Sequence, residues 1–357
     1  MAEGISKKVK LLPIAIGTHN GHFHADEALA VYLLRLLPEY KESSLIRTRD
    51  PEVLAECHTV VDVGGEYSPD TNRYDHHQRT FGTTFPNKAT KLSSAGLIYM
   101  HFGRAIIAQQ IGLSETDPNV ELLYQKLYAD FIEAVDANDN GIELYDPKTV
   151  MGAQRRYKDF GVTLASLVSD LNAQIDDPLL PPVIQATSTE IVNPQAAEDA
   201  RFLQASALMG TSFVRKLALA FRKWLPARNE VQTAYNSRAE VDPSGQIIVL
   251  PQSGVPWKEH LYNIEAANPG APEVLFVIYP ENSEANSKWR VQAVSVSLES
   301  FENRKSLKEE WRGLRDAELS EKSGIPDCVF VHAAGFIGGN LNEQGVLRMA
   351  RESIKAG

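Results

Sequence analysis

Between residues 11 and 64 the chain alternates short apolar runs with one amphipathic segment, an order that few folds accept. LLPIAIGT at 11–18 ends in Gly-Thr and reads as a buried strand. A helix follows from Glu27 to Leu37, with Leu29, Leu33, Leu36 and Leu37 on its apolar face and Pro38 as its stop. LIRTRD at 45–50 and HTVVDVG at 58–64 read as further strands. Strand, helix and strand joined by short connections imply parallel pairing and a right-handed crossover. Ligands of such sheets bind beyond the carboxyl ends of the strands. That rule puts the stretch GTHNGHFHADEA at 17–28 on the same edge as Asp62.

The pattern continues with a helix over 93–110, behind the N-cap candidates Ser93 and Ser94. Residues 121–135 form an amphipathic helix with Tyr124, Leu127, Tyr128, Phe131, Ile132 and Val135 at three- and four-residue spacing. A long helical stretch covers about 195–225. From about 238 strands dominate: IIVL at 247–250, VLFVIYP at 274–280, WRVQAVSV at 289–296 and CVFVH at 328–332. A polar helical segment is expected at 303–322 and a closing helix at 341–354. With 357 residues, two domains are expected. The boundary falls near 230: an α/β domain over 12–230 with a parallel sheet, helices on both faces and a helical linker from about 195, then a smaller α/β domain over 231–357.

Apolar content of 43% and charged content of 23% describe a globular chain, and no apolar run approaches the roughly 18 residues of a membrane helix. MAEGISKKVKLL lacks the apolar core of a signal peptide. Two cysteines, Cys57 and Cys328, lie far apart, which argues against a disulfide framework and favours a reducing compartment. A net charge of −10 argues against a protein that coats nucleic acid nonspecifically, because phosphate neutralisation drives that affinity. It does not exclude a nuclease that meets nucleic acid through metal ions.

Nine histidines are present, and His19, His22 and His24 fall just before Asp26 and Glu27. A lone histidine is ordinarily a polar core or surface residue, but three beside two acids on one strand-to-helix loop suit a transition metal. Glu27 is set outside that shell, since acids favour a first helical turn on dipole grounds alone. Asp62 ends an apolar strand, where aspartate is disfavoured, and is either a turn former or a ligand. In Asp75-His76-His77 the adjacent imidazoles point to opposite sides of an extended chain, so one can ligate metal while the other faces a substrate phosphate. DANDNG at 136–141 starts like an EF-hand loop, but Pro147 occupies the position that requires a bidentate glutamate. Asp136 remains a candidate ligand, with Asp139, Asn140 and Gly141 as turn or supporting residues. This inventory exceeds what one ion uses and suits two metals that clamp the attacking and leaving oxygens of a phosphoester. The glycines of VHAAGFIGGN at 331–340, after a strand and before a helix, would let backbone N–H groups approach an anion. Arg290 and Lys258 could add contacts to phosphate.

The motifs GTHNGHFHADEALA, VVDVGGEY, YDHHQ, VDANDNGI and VHAAGFIGGN resemble the DHH phosphoesterase superfamily and, more closely, its melanocyte-proliferating-gene family, across about 12–355. The resemblance implies a 3′-to-5′ RNA exonuclease with two divalent ions, Mn2+ or Mg2+, in the first domain. Carried over, the metal ligands are His19 or His24, Asp26, Asp62, Asp75 or His76, and Asp136, with Asp75, His76 and His77 as the catalytic triplet. His77, Arg290 and His332 face the substrate, and Gly338 and Gly339 hold a phosphate or terminal nucleotide. The implied partner is single-stranded RNA or a short oligonucleotide rather than a membrane, in nucleus or mitochondrion, with cytoplasm and a homodimer left open. Many superfamily members open with His-x-x-x-Asp-x-Asp, and here a histidine stands where an aspartate usually ligates. His19 and His24 are expected on metal, with His22 facing solvent.

Rival readings exist. HFHADE approaches the His-x-His-x-Asp-His of metallo-β-lactamases, but Glu27 replaces the last histidine and the DHH triplet has no role there. An amidohydrolase barrel lacks its eight strand–helix units. A catalytically inactive metal-binding scaffold would show a broken motif, and none is seen. A phosphatase of pyrophosphate or dinucleotides would use the same metal site.

Overall fold

The computed structural model describes residues 14–146, 148–149, 151–152, 162–173 and 193–356. Residues 1–13, including the start of the first expected strand, lie outside them. The chain separates into two compact units, residues 1–220 and 221–357.

The first unit opens with strand β1 (Ala15–Thr18), helix α1 (Ala25–Arg35), β2 (Ser44–Arg47), the short α2 (Pro51–Ala55) and β3 (Thr59–Val61). The short β4 (Tyr67–Ser68) and β5 (Arg73–Tyr74) complete a sheet of order β2-β1-β3-β5-β4. β1 pairs parallel with β2 and β3, and β3 with β5, while only β4 runs antiparallel. The three parallel strands β1, β3 and β5 therefore end at one edge, immediately before His19, Asp62 and Asp75. The expected α/β architecture is present, and its strand polarity is what gathers those residues.

Helix α1 is buried along nearly its whole length, from Ala25 to Leu34 with Tyr32 the exception. It packs against α3 (Ser94–Ile111) and α7 (Pro194–Leu219). Fully enclosed Leu29, Leu33 and Leu34 each contribute about 1.5–3 kcal/mol on leaving water. Between α3 and α7 run α4 (Pro118–Leu127), α5 (Glu133–Asp139) and α6 (Leu164–Asp170). The helix expected over 121–135 is longer and irregular: a π-helical turn at Tyr128–Ile132 joins α4 to α5, so helix continues through Asp139. No helix is long and apolar enough to cross a membrane among the described residues.

The second unit contains α8 (Leu225–Asn236), α9 (Arg238–Val241), β6 (Ile247–Val249), α10 (Lys258–Ala267), β7 (Phe276–Pro280) and β8 (Trp289–Ala293). It closes with α11 (Asp316–Ser323), β9 (Cys328–Val331), β10 (Ile337–Asn340) and α12 (Glu343–Lys355). The sheet order is β6-β7-β8-β10-β9, parallel only between β6 and β7. Ile278, Val291, Trp311 and Met349 fill one side of it, and Val231, Leu261 and Val277 the other.

Two expectations change here. Helix is confined to Asp316–Ser323 in the 303–322 segment, because Leu307 and Trp311 are drawn into the core and Gly313 takes a φ of 82°. Gly338 and Gly339 lie within strand β10 rather than in a turn before a helix. A Cβ on Gly338 would meet Leu307 and Met349, and one on Gly339 would meet the Arg290 guanidinium and the Trp289 carbonyl. Their missing side chains serve close packing.

Candidate active site

At the carboxyl edge of the first sheet lies a cleft of about 430 Å3, lined among others by His19, His24, Asp62, Asp75, His77 and Asp139. Its centre is Asp62, which follows β3 with a φ of 58°, a left-handed backbone that aspartate tolerates better than most residues. The side chain is 4% exposed as a residue, and its two oxygens face different partners. Oδ2 lies 3.4 Å from His19 Nε2. Oδ1 lies 3.3 Å from His76 Nε2 and accepts the Ser94 hydroxyl at 3.2 Å. Burial alone would raise this carboxyl, but the two imidazoles hold it well below the usual carboxylate range.

On the Oδ2 side, His19, His24, Glu27 and Asp62 bring ligand atoms within 4.8 Å of one another. His19 donates Nδ1–H to the Asn20 carbonyl at 3.2 Å, which turns Nε2 toward the cluster. Glu27, read from sequence as a dipole residue outside the shell, is fully buried with Oε1 3.2 Å from His19 Nε2. Oε1 also accepts the His24 N–H at 2.8 Å, so capping and site-building coincide in one side chain. Its Oε2 has no hydrogen-bond partner among the described residues. His24 is half exposed at the mouth. His22 is exposed, packs its ring at a tilt against His24 with centroids 5.4 Å apart, and lies outside the cluster.

On the Oδ1 side, His76 Nε2 lies 3.0 Å from Asp139 Oδ2 and 3.9 Å from Asp26 Oδ2. His76 is 3% exposed, yet among the described residues neither ring nitrogen makes a hydrogen bond of good geometry. Burial would lower His19 and His76, and the surrounding carboxylates reverse this and push each up to about 10. Asp26 accepts from Ser93 Oγ, Ser94 N–H and Ala95 N–H at the start of α3. Burial, then the Asp139 and Asp62 carboxylates, drive its pKa well upward. Asp139 was assigned from sequence to turn chemistry, and the continuing helix carries it into the cluster instead.

Asp75 and Asp136 are placed differently from the metal ligands expected of them. Asp75 Oδ2 accepts Gly65 N–H at 2.6 Å, and Oδ1 accepts both the backbone N–H and the Nδ1–H of His77, the latter at 2.7 Å. It orients His77, whose side chain is 62% exposed at the cleft. Asp136 points inward, where Oδ1 accepts Ser93 N–H at 2.9 Å and lies 2.7 Å from Ser93 Oγ, whose one proton serves both this carboxyl and Asp26, and Oδ2 accepts the Tyr128 hydroxyl at 2.9 Å. Burial outweighs these bonds and raises its carboxyl to about 7. A raised native pKa means that the folded state holds a proton which the unfolded chain releases near 3.8. Its contribution to stability is therefore complete below about pH 4 and lost as pH rises through about 7. The shift corresponds to roughly 4 kcal/mol. Thermal unfolding of the metal-free protein between pH 5 and 8 is expected to show this decline, and Asp136→Asn to flatten it. An Asp136→Asn profile parallel to the parent's would refute the assignment.

A second set of residues holds the histidine loop from outside. Arg47, at the end of β2, has a fully enclosed side chain that donates to Glu198 at 2.8 Å and to the Gly21 carbonyl at 2.8 Å. Glu198 accepts Gly21 N–H at 2.7 Å, and Asn172 pairs with both backbone groups of Phe23. The guanidinium sits 5.5 and 4.7 Å from the Phe23 and Phe202 rings. Sequence reading missed these residues and also Arg49, an exposed cation lining the cleft.

In the second unit, Arg290 pairs with Glu281 and lies 5.2 Å from the Phe330 ring centroid, with Arg315 at 5.8 Å from the same ring. Gly339 shares that sheet face, whereas Gly338 faces the core. His332 is exposed, and its Nδ1 accepts Ala334 N–H at 3.1 Å.

Comparison with known proteins gives a consistent result. A MYG1 exonuclease of Bos taurus is 47% identical over 350 residues, covering 96% of this chain and 85% of its own. That of Homo sapiens is 45% identical over 355 residues, covering 98% and 88%. The MYG1 protein of Dictyostelium discoideum is 44% identical over 342 residues, covering 96% of each chain. Residues 15–354 match the MYG1_exonuc family model, described as "Uncharacterised protein family (UPF0160)". The chain belongs to the MYG1 exonuclease family.

Proposed function

We propose that the protein is a divalent-cation-dependent phosphodiesterase that removes nucleotides from the 3′ end of single-stranded RNA. The observation that carries this reading is Asp62, one carboxylate shared between a His19–His24–Glu27 group and a His76–His77 group, each with ligand atoms within 4.8 Å of one another, with His76 grouped in turn with Asp26 and Asp139. Ligand atoms of an octahedral ion lie about 3 Å from one another, which the 3.0–3.4 Å separations around His19 and His76 approach. Carboxylates suit Mn2+ or Mg2+, and the imidazoles favour Mn2+ of the two. His19, His24, Glu27 and Asp62 would hold one ion, and Asp26, Asp62, His76 and Asp139 the other. Two such ions supply charge neutralisation and an activated water.

The remaining groups handle the substrate. His77 donates its Nδ1–H to Asp75, which raises the imidazole and favours the charged ring that a phosphate oxygen would accept from. Arg49 adds a cation at the rim. In the second unit, Phe330 flanked by Arg290 and Arg315 offers an aromatic and cationic surface of the kind that binds unstacked bases, which favours RNA over pyrophosphate. The relatives named as exonucleases support the same reading.

The test incubates 5′-labelled single-stranded RNA with the protein and Mn2+, beside pyrophosphate and a dinucleotide. The expected result is a ladder of 5′-labelled products shortening from the 3′ end and abolished by chelator. Intact RNA with rapid phosphate release from the small substrates would replace this reading with a small-substrate phosphatase.

A further inference from the structure

Beside the cleft, within the first unit, lies a second cavity of about 370 Å3. It sits near the lower end of the roughly 300–1,000 Å3 typical of small-ligand sites. The buried side chains of Phe131, Val135 and Met209 line it together with half-buried Leu164 and Ala165, giving apolar walls. Asn138 and Lys216 are exposed at its border. Phe131, Val135 and Asn138 follow one another at helical spacing, so a single stripe runs from the cavity to the cleft.

Asn138 borders both spaces. Its side-chain amide has no hydrogen-bond partner among the described residues, so it is free to donate and accept. The next residue, Asp139, belongs to the His76 cluster, and Ala25 in the cavity wall precedes Asp26 of the same cluster. The π-helical turn at Tyr128–Ile132 contains Phe131, and such turns frequently occur at functional sites. A phosphodiester held at the cleft must direct an attached group somewhere. The adjoining space has apolar walls and a polar edge formed by the Asn138 amide, the Thr163 hydroxyl, the Lys216 cation and Asp130, whose carboxylate is paired with Lys126.

The geometry points to this cavity as a nucleobase subsite for the nucleotide whose phosphate occupies the cleft. The assignment rests on the phosphodiesterase reading above and adds where its substrate is recognised. The base ring meets the Phe131, Val135 and Met209 walls, Asn138 meets its polar edge, and Lys216 faces the adjoining backbone. An amide that both donates and accepts serves all four bases, so the subsite senses that a base is present rather than which one.

Two measurements test this. The first compares cleavage of an oligoribonucleotide with the same oligonucleotide carrying abasic residues at both termini. The wild type is expected to prefer the base-bearing substrate at least about tenfold in kcat/KM, mostly through KM. Ala165→Phe, which fills the cavity, and Ala134→Phe, at its exposed lip, are expected to collapse that preference toward unity. The second measures binding of uridine 5′-monophosphate and of ribose 5-phosphate by calorimetry. The nucleotide is expected to bind the wild type at least about tenfold more tightly than the sugar phosphate, and either variant to lose the difference. Equal treatment of base-bearing and abasic substrates by an active wild type overturns the subsite and leaves the phosphodiesterase reading standing. If neither substrate is cleaved, that reading falls, and equal binding of nucleotide and sugar phosphate then overturns the subsite by itself. Variants that fold and keep the full wild-type preference also overturn it.

Discussion

Replacing Asp62 by asparagine is expected to lower kcat/KM for RNA at least about 1,000-fold while the protein stays folded. Asparagine is nearly isosteric and tolerates the left-handed φ of 58°, so backbone strain does not confuse the outcome. What disappears is the charge that faces His19 on one side and His76 on the other. Loss of about 4 kcal/mol of transition-state stabilisation, a modest share of what a two-ion site supplies, accounts for a thousandfold. Calorimetric titration with Mn2+ should show both binding events weakened, because one carboxylate serves both clusters. Asp139→Asn is expected to weaken only one event while costing comparable activity. Asp136→Asn, whose oxygens are committed to Ser93 and Tyr128, should retain activity within about tenfold. Near-parental activity in Asp62→Asn, or loss in Asp136→Asn equal to that in Asp139→Asn, would show that the centre is misassigned.

Arg47→Met should destabilise the first unit by about 2–4 kcal/mol, since it removes an enclosed guanidinium, leaves the Gly21 carbonyl without its donor and strips partly exposed Glu198 of its cation. For a unit of this size that corresponds to a fall of roughly 10 °C in melting temperature. The same loop carries His19 and His24, so Mn2+ affinity should fall as well. Glu198→Gln in the Arg47→Met background should recover part of the stability by removing the stranded charge. A melting temperature within 2 °C of the parent in Arg47→Met would mean that the clamp carries little energy.

Much of the site was legible because strand polarity is legible. Parallel β1, β3 and β5 deliver His19, Asp62 and the Asp75-His76-His77 triplet to one edge wherever the chain runs between them. Glu27 was hidden because an acid in a first helical turn already has a sufficient electrostatic reason to be there. Asp139 was hidden because DANDNG reads as a turn, whereas the helix runs on through it. The glycines at 338–339 misled in the opposite direction: a Gly-Gly pair before a helix resembles an anion turn, and only packing against Leu307 and Arg290 reveals a strand. The Arg47 clamp joins residues about 150 positions apart, a distance over which no local periodicity carries information.

The π-helical turn at Tyr128–Ile132 has an evolutionary consequence. Such a turn holds one residue more than regular helix requires, so it acts as an angular vernier between α4, anchored in the core, and α5, which carries Asp136, Asn138 and Asp139. Loss of a single residue there would rotate everything downstream by about one helical step, roughly 100°. Every chemically important residue would still be present, but Asp139 would no longer face His76. In this stretch, chain length therefore sets the centre alongside side-chain identity. A relative that conserves every motif but is one residue shorter between 128 and 132 would have a different centre.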